Sequence, residues 1–210
     1  MQALTPELLV RAYAMGIFPM ARSRTDSRLQ WIDPDDRGIL PLDAFHIPRS
    51  LKKTLRREVF HIRFDTAFAQ VMEKCAETAA DRDDTWINDE IIRLFVDLHR
   101  RGLAHSVESW RDGKLVGGLY GLALGGAFFG ESMFSRETDA SKVALVHLVA
   151  ALRHGGFCLL DTQFITDHLG RFGAQEIPRA EYHRLLAAAL PQPAAFPPAP
   201  VPWEGALNPS

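Results

Sequence analysis

Two hairpin turns in the second half of the chain restrict its fold more than any other feature. Ala104 to Trp110 reads as a strand, and Asp112-Gly113 is a strong two-residue turn. Leu115 to Leu124 is a second strand, Gly125-Gly126 turns the chain again, and Ala127 to Met133 is a third strand. Asp139 or Ser141 then opens an apolar helix to about His154, which Gly155-Gly156 ends. Phe157 to Leu160 is short and apolar, the pattern of a buried strand, and it stops at Asp161. A short helix, a strand near Ala174 to Ile177 and a helix from Arg179 to Leu190 follow. Hairpin, strand, helix, strand, helix predicts an α+β fold, a mixed sheet with packed helices.

The first half is less regular. Thr5 as N-cap, Pro6 at the first helical position and Gly16 just past the end bound a helix whose Leu8, Leu9, Ala12 and Tyr13 face a core. Residues 21–48 are loop-rich, with Trp31-Ile32 and Ile39-Leu40 as short extended pieces. Ser50 is positioned to cap a basic helix, Leu51 to Arg57, and His61 to Phe64 reads as a strand. Asp65 is expected to cap a helix from about Thr66 to Ala79, before an acidic loop, Asp81 to Asp84. Asn88 caps a further helix, Asp89 to Arg101, closed by Gly102. Six prolines between 191 and 202 predict an extended or disordered tail. The expected division is 1–60 as a small N-terminal unit with the basic helix, 61–190 as the main domain and 191–210 as the tail.

Charge and cysteine content exclude several classes. Lys+Arg is 24 and Asp+Glu is 26, so a uniformly basic nucleic-acid coat protein is excluded while a local basic patch is not. Cys75 and Cys158 form no metal-type cluster or C-x-x-C and are expected as buried thiols in a reducing compartment. No apolar run approaches the ~20 residues a membrane span requires. The first residues lack the layout of a signal peptide, so the expected location is the cytoplasm.

Three places could carry chemistry. The segment from Gly117 to Phe134 holds several glycines in a predicted central hairpin, which suggests that something approaches its backbone. Glu131 lies within it, either as a solvated strand end or as a carboxylate at the floor of a cleft, where it needs a cationic or hydrogen-bonding partner. Asp161-Thr162-Gln163 follows a buried strand, either as a helix cap or as binding groups; in a regular strand Asp161 and Gln163 share a face. Arg49, Lys52, Lys53, Arg56 and Arg57 form a basic run without an acid, which is a solvated face or a phosphate-contacting one. Trp31 and Trp86 could stack on a nucleobase or sit in a core. No metal motif, G-x-S-x-G or P-loop is present.

Set in order, these segments carry a resemblance. They are Trp31-Ile32-Asp33-Pro34, Arg37-Gly38, Phe45 to Ser50, Thr85-Trp86-Ile87, Ala104 to Glu108, Leu115 to Gly121, Gly130 to Arg136, Ala140-Ser141-Lys142 and Asp161-Thr162-Gln163 with Gly173-Ala174. The set resembles the leucyl/phenylalanyl-tRNA–protein transferase family, from about Thr5 to Leu186. Met20 stands where many members carry Trp. The resemblance implies an acetyltransferase-like (GNAT-like) C-terminal domain with a small N-terminal α/β domain. It implies transfer of Leu, Phe or Met from aminoacyl-tRNA to the N-terminal Arg or Lys of an acceptor protein, which marks the acceptor for N-end rule degradation. A monomer without cofactor or metal is expected.

By the same resemblance Glu131, Asp161 and Gln163 are the catalytic set. Trp31, Trp86, Leu119, Phe128 and Met133 line the aminoacyl pocket and the site of the 3′-adenosine, and Arg49, Lys52, Lys53, Arg56 and Arg57 contact tRNA. Gln163 would accept a hydrogen bond from the attacking amine, Asp161 would fix the Gln163 amide or steady the ammonium, and Glu131 would hold the acceptor. Leu119, Phe128 and Met133 do not share strand parity, so a bulge near Gly130 or both hairpin arms are needed to bring them together. Two rivals stand beside this reading. An acetyl-CoA-dependent acetyltransferase needs a pyrophosphate loop that Ser135 to Ser141 lacks. A non-catalytic RNA-binding module would use the basic helix and the tryptophans.

Overall fold

The computed structural model describes residues 4–26, 28–77 and 85–207, so the expected acidic loop at 81–84 lies outside the described residues. Local signals place most elements. Helix α1 (Pro6–Ala14) begins where the Thr5 side chain accepts from the Leu8 N–H, and the left-handed Gly16 follows its end. Strands β1 (Phe18–Ala21) and β2 (Leu29–Ile32) form a separate two-stranded sheet. Strand β3 (Asp36–Ile39) leads to the basic helix α2 (Arg49–Arg56), strand β4 (His61–Phe64) and helix α3 (Phe68–Ala76). Helix α4 (Asp89–Arg100) is capped by Asn88, which accepts from the Ile91 N–H.

The meander follows as β5 (Ala104–Arg111), β6 (Lys114–Leu124) and β7 (Ala127–Ser135), with Asp112 and Gly113 both at positive φ in the first turn. Helix α5 (Ala140–His154), strand β8 (Leu159–Gln163), the short helix α6 (Asp167–Gly170), strand β9 (Gln175–Pro178) and helix α7 (Arg179–Ala189) complete the order. The main sheet runs β4-β5-β6-β7-β8-β3-β9. Among the described residues only β7 and β8 pair in parallel, with α5 as the crossover between them; the other neighbours are antiparallel. The fold is therefore a mixed α+β sheet with packed helices.

Each face of the sheet carries a core. On one, Leu9 and Tyr13 of α1, Val71 and Met72 of α3 and Leu94 and Phe95 of α4 pack on Tyr120, Leu122 and Phe129. On the other, Leu51 and Leu55 of α2 and most of α5 pack on Val107, Val116, Leu119 and Phe128. Helix α5 is apolar nearly all round because it lies between the sheet and the chain's last segment. The segment 1–60 contributes to both cores, and its β3 is inserted between β8 and β9.

Several local expectations need correction. Helix α2 starts at Arg49 after Pro48 with no side-chain cap, so Ser50 lies inside it. Asp65 does not cap α3: its left-handed backbone turns the carboxylate toward β5, where it accepts from Ser106 N (2.8 Å) and meets His105 Nδ1 (2.8 Å). Cys158 is exposed rather than buried, because it follows the Gly155-Gly156 turn before β8 begins. The glycines of the hairpin make room for the protein's own atoms. A Cβ on Gly117 would collide with Ala140 at the start of α5, and one on Gly121 with Phe129 O and the Phe128 ring. The tail is extended but packed. Phe196 stacks on His105 and Phe128, a 3₁₀ turn (Trp203–Ala206) lies on α5, and Arg153 donates to Leu42 O and Leu207 O.

Candidate active site

A bulge in the meander builds the site. Tyr120 pairs with Ser132, but Gly121 pairs with Gly130, which leaves Glu131 as the extra residue of β7. Gly130, Glu131, Ser132 and Met133 consequently all reach the wall of one cleft of about 550 Å³. Leu119 lies directly across from Met133 and joins it there. The expected bulge near Gly130 is thus present, and its extra residue is the carboxylate that stood out in the sequence.

The neighbouring strand β8 adds Leu160 and Thr162 to the wall, while Asp161 between them faces away. Strict alternation would turn Gln163 away as well. It does not, because Gln163 has φ +57, and this left-handed step brings its side chain into the cleft wall. Asp161 and Gln163 therefore do not share a face as a regular strand predicts. Gln163 Nε2 donates to Glu131 Oε1 at 3.2 Å. Burial raises the Glu131 carboxyl to about 8. The Tyr13 phenol beside it pulls the other way without reaching hydrogen-bond geometry, the Asp161 charge adds to the rise, and Arg37 and Gln163 oppose it.

Behind the wall, Asp161 is fully buried with four donors on its two oxygens. Oδ1 accepts from Arg37 Nε (3.0 Å) and from the Gln163 backbone N–H (2.8 Å). Oδ2 accepts from Arg37 Nη2 (2.6 Å) and from the Tyr182 hydroxyl (2.7 Å). The Arg37 guanidinium packs against the Phe18 ring (4.5 Å) and the Tyr182 ring (4.2 Å), Nη2 also donates to the Tyr182 hydroxyl (3.2 Å), and Nη1 donates to Gly16 O at 2.8 Å. Burial and the Asp161 charge push the Tyr182 phenol well up, which keeps it a donor. The bond from Asp161 to Gln163 is made to the main chain, not to the side-chain amide as expected.

The structure brings Glu131, Gln163, Trp86, Leu119 and Met133 together around the cleft, with Phe18, Met20, Leu145, Leu148, Phe164 and His168 as further wall residues. Trp31 is not among them. It pairs with Pro19 and so lies on the opposite face of the small sheet from Phe18 and Met20, with 44% of its surface exposed. Phe128 is not in the wall either: its ring occupies the space over Gly121 and packs against Phe157 and Phe196 in the core. The five cations of the basic run lie apart from the cleft on α2 and just after it, where Leu51 and Leu55 anchor the helix against α5. Arg49, Lys53, Arg56 and Arg57 are exposed and Lys52 is half-buried. Among the described residues none of the five enters an ion pair.

Arg37 was not singled out by the chemistry of the sequence. The need for a cation at a buried Asp161 was readable, but any of 24 Lys and Arg residues could have met it. No group of His, Cys, Asp and Glu among the described residues is arranged to hold a metal ion. No helix among them is long and apolar enough to cross a membrane.

Comparison with known proteins adds an independent line. A family model for leucyl/phenylalanyl-tRNA protein transferase matches residues 39–187, and one for the N-terminal domain of the same proteins matches residues 2–35. The seam between them falls in β3 and contains Arg37. A protein of Paramagnetospirillum magneticum named leucyl/phenylalanyl-tRNA–protein transferase is 68% identical over 208 residues, 99% of this chain and 100% of that one. Proteins of the same name are 60% identical in Rhodospirillum rubrum (90% of this chain, 89% of that one) and 59% in Phenylobacterium zucineum (90% and 85%).

Proposed function

The chain belongs to the leucyl/phenylalanyl-tRNA–protein transferase family, and from that premise we propose that it transfers Leu, Phe or Met from aminoacyl-tRNA to the N-terminal Arg or Lys of an acceptor protein, marking it for N-end rule degradation. One observation carries the reading to the cleft. Leu119, Met133, Leu145, Leu148 and Leu160 make an apolar wall, and Glu131 and Gln163 meet within it. Such a wall accepts an unbranched-at-Cβ apolar side chain, and Met133 can adapt to Leu, Met or Phe. Discrimination by one methylene is worth only about 1–3 kcal/mol, so the expected preference is graded.

The reaction breaks the ester between the aminoacyl carbonyl and a ribose oxygen of the tRNA. It forms an amide with the acceptor's α-nitrogen, which loses a proton while the departing ribose oxygen gains one. An α-amine has a pKa of about 7.7–8.0, so roughly a tenth is neutral at pH 7 and no strong base is required. With Nε2 donated to Glu131, Gln163 has Oε1 left to accept from the amine and aim its lone pair at the ester carbonyl. Burial raises Glu131 to about 8, close to the amine itself, so a proton exchanges between the two groups at little cost. Asp161, with both oxygens occupied, touches neither substrate in this scheme.

Trp86, in the cleft wall, is the tryptophan positioned to stack on the terminal adenosine; Trp31, on the far face, is not given that role. The cations on and just after α2, which enter no ion pair among the described residues, are assigned to the tRNA backbone. We read residues 61–190 as acetyltransferase-like, on the antiparallel meander, the α5 crossover and the parallel β7–β8 pair, with 1–60 as the N-terminal unit and 191–210 as the tail. A cytoplasmic monomer belongs to the same reading, and two cysteines that form no disulfide among the described residues suit a reducing compartment.

The test is transfer of labelled Leu from Leu-tRNA to peptides beginning with Arg, Lys or Asp. Label is expected on the Arg and Lys peptides only. Intact tRNA binding without any transfer would favour the binding-module alternative.

A further inference from the structure

We infer that Arg37 is a positioning residue for the transfer: through Asp161 it holds the left-handed turn that aims Gln163 into the cleft, and through Gly16 it ties that aim to the seating of the N-terminal segment. The inference rests on the proposed role of Gln163 and names what keeps that side chain in place.

Four observations converge on it. Gln163 is a non-glycine residue at φ +57, a conformation that L side chains rarely adopt and that needs a specific tether. The tether is the Asp161 Oδ1 bond to the Gln163 N–H, made two residues back along the same strand. Asp161 itself is fixed by the two-pronged Arg37 interaction and by the Tyr182 hydroxyl, so its carboxylate cannot rotate without breaking three other bonds. Arg37 in turn is held by groups from elsewhere in the chain: Gly16 O after α1, the Phe18 ring of β1 and the Tyr182 ring of α7. Phe18 also forms part of the cleft wall, so one side chain touches both the clamp and the cleft.

Asp161 is occupied on both oxygens and shielded from the cleft, which leaves it no lone pair for an amine or a ribose hydroxyl. Its contribution is geometric. The clamp spans the seam between the two matched segments of the chain, and displacement of residues 16–18 is therefore transmitted to Gln163 without any residue of that segment touching the amine.

The experiment is a double-mutant cycle on turnover. Tyr182→Phe removes one donor to Asp161 and one acceptor for Arg37 Nη2, and keeps the ring against the guanidinium; Arg37→Lys keeps a charge and removes the two-pronged interaction. Each is made alone and with Gln163→Ala, and kcat, KM for the Arg-initial peptide and the Kd of aminoacyl-tRNA are measured. We expect kcat to fall about tenfold for Tyr182→Phe and more for Arg37→Lys, with KM and Kd within about twofold. In the Gln163→Ala background neither change should lower kcat further, because the group they position is gone. Equal losses in both backgrounds would overturn the inference, since the clamp would then act on the fold at large. Wild-type kcat in Tyr182→Phe and Arg37→Lys would overturn it as well. Wild-type turnover in Gln163→Ala alone would instead remove the proposed role of Gln163, and the inference with it. If Arg37→Lys fails to fold, Tyr182→Phe completes the cycle by itself.

Discussion

Arg37 is 1% exposed and commits its guanidinium to Asp161 and Gly16, whereas Arg49, Lys53, Arg56 and Arg57 stand in solvent without an ion pair among the described residues. Both regions are cationic, and the physics acts on them in opposite ways. A charge removed from water must be matched by partners inside the protein, so Arg37 is structurally saturated and can serve only as a support. A charge left in water costs the fold almost nothing and keeps its donors for a partner from outside. Saturation therefore marks a group that holds the site, whereas an unpaired cluster keeps its donors open to a partner from outside.

The largest effect should come from breaking the saturated side of this comparison. Arg37→Ala strands Asp161 in the core and is expected to cost about 3–5 kcal/mol of stability, read from denaturant unfolding. A loss below ~1 kcal/mol would mean that the pair is not buried as described. Next comes the unsaturated side. Replacing Lys53, Arg56 and Arg57 together by Ala should leave stability within ~0.5 kcal/mol and weaken aminoacyl-tRNA binding at least tenfold. The dependence of log Kd on log salt should flatten by roughly one unit for each phosphate that is no longer neutralised. Unchanged affinity and salt slope would return α2 to the status of a solvated face.

Glu131 sharpens the contrast, as a half-buried acid in the cleft wall whose partner is an amide rather than a cation. Its folded pKa of about 8 lies above the ordinary value of 4.5, so the native state holds the proton more tightly. Its contribution to stability is complete below about pH 4.5 and is lost as pH rises toward and through 8. Glu131→Gln should therefore flatten the fall in unfolding midpoint between about pH 5 and pH 8.5. An identical fall in both proteins would show that Glu131 titrates normally. The smallest effect is assigned to Trp31→Ala, with donor KM changed less than about twofold, against a clear rise for Trp86→Ala. Comparable rises in both would put Trp31 back at the donor site.

The readable parts of the site were those set by neighbours in the chain. The Asp112-Gly113 turn, the Asn88 cap and the misfit of Glu131 in an apolar strand each depend on a few adjacent residues. The faces of Phe128 and Trp31 did not follow from spacing, because they depend on which strand pairs with which and on the space left over Gly121. The packed tail was equally hidden: its prolines signal extension, but only the surfaces of His105, Phe128 and α5 give Phe196 and Trp203 a place to dock.

Sequence alone determined most of the order of strands and helices, though not β1, together with the meander and the presence of a carboxylate and an amide near one strand end. Short-range turn chemistry, capping and hydrophobic pattern are sufficient for those. Tertiary structure decided that β3 enters between β8 and β9, and that Arg37 reaches Asp161 across 124 residues of chain. It also decided that Gln163 leaves its strand face for the cleft. These outcomes are set by competition among distant groups for one buried partner, and no local stretch of the chain encodes which of them wins.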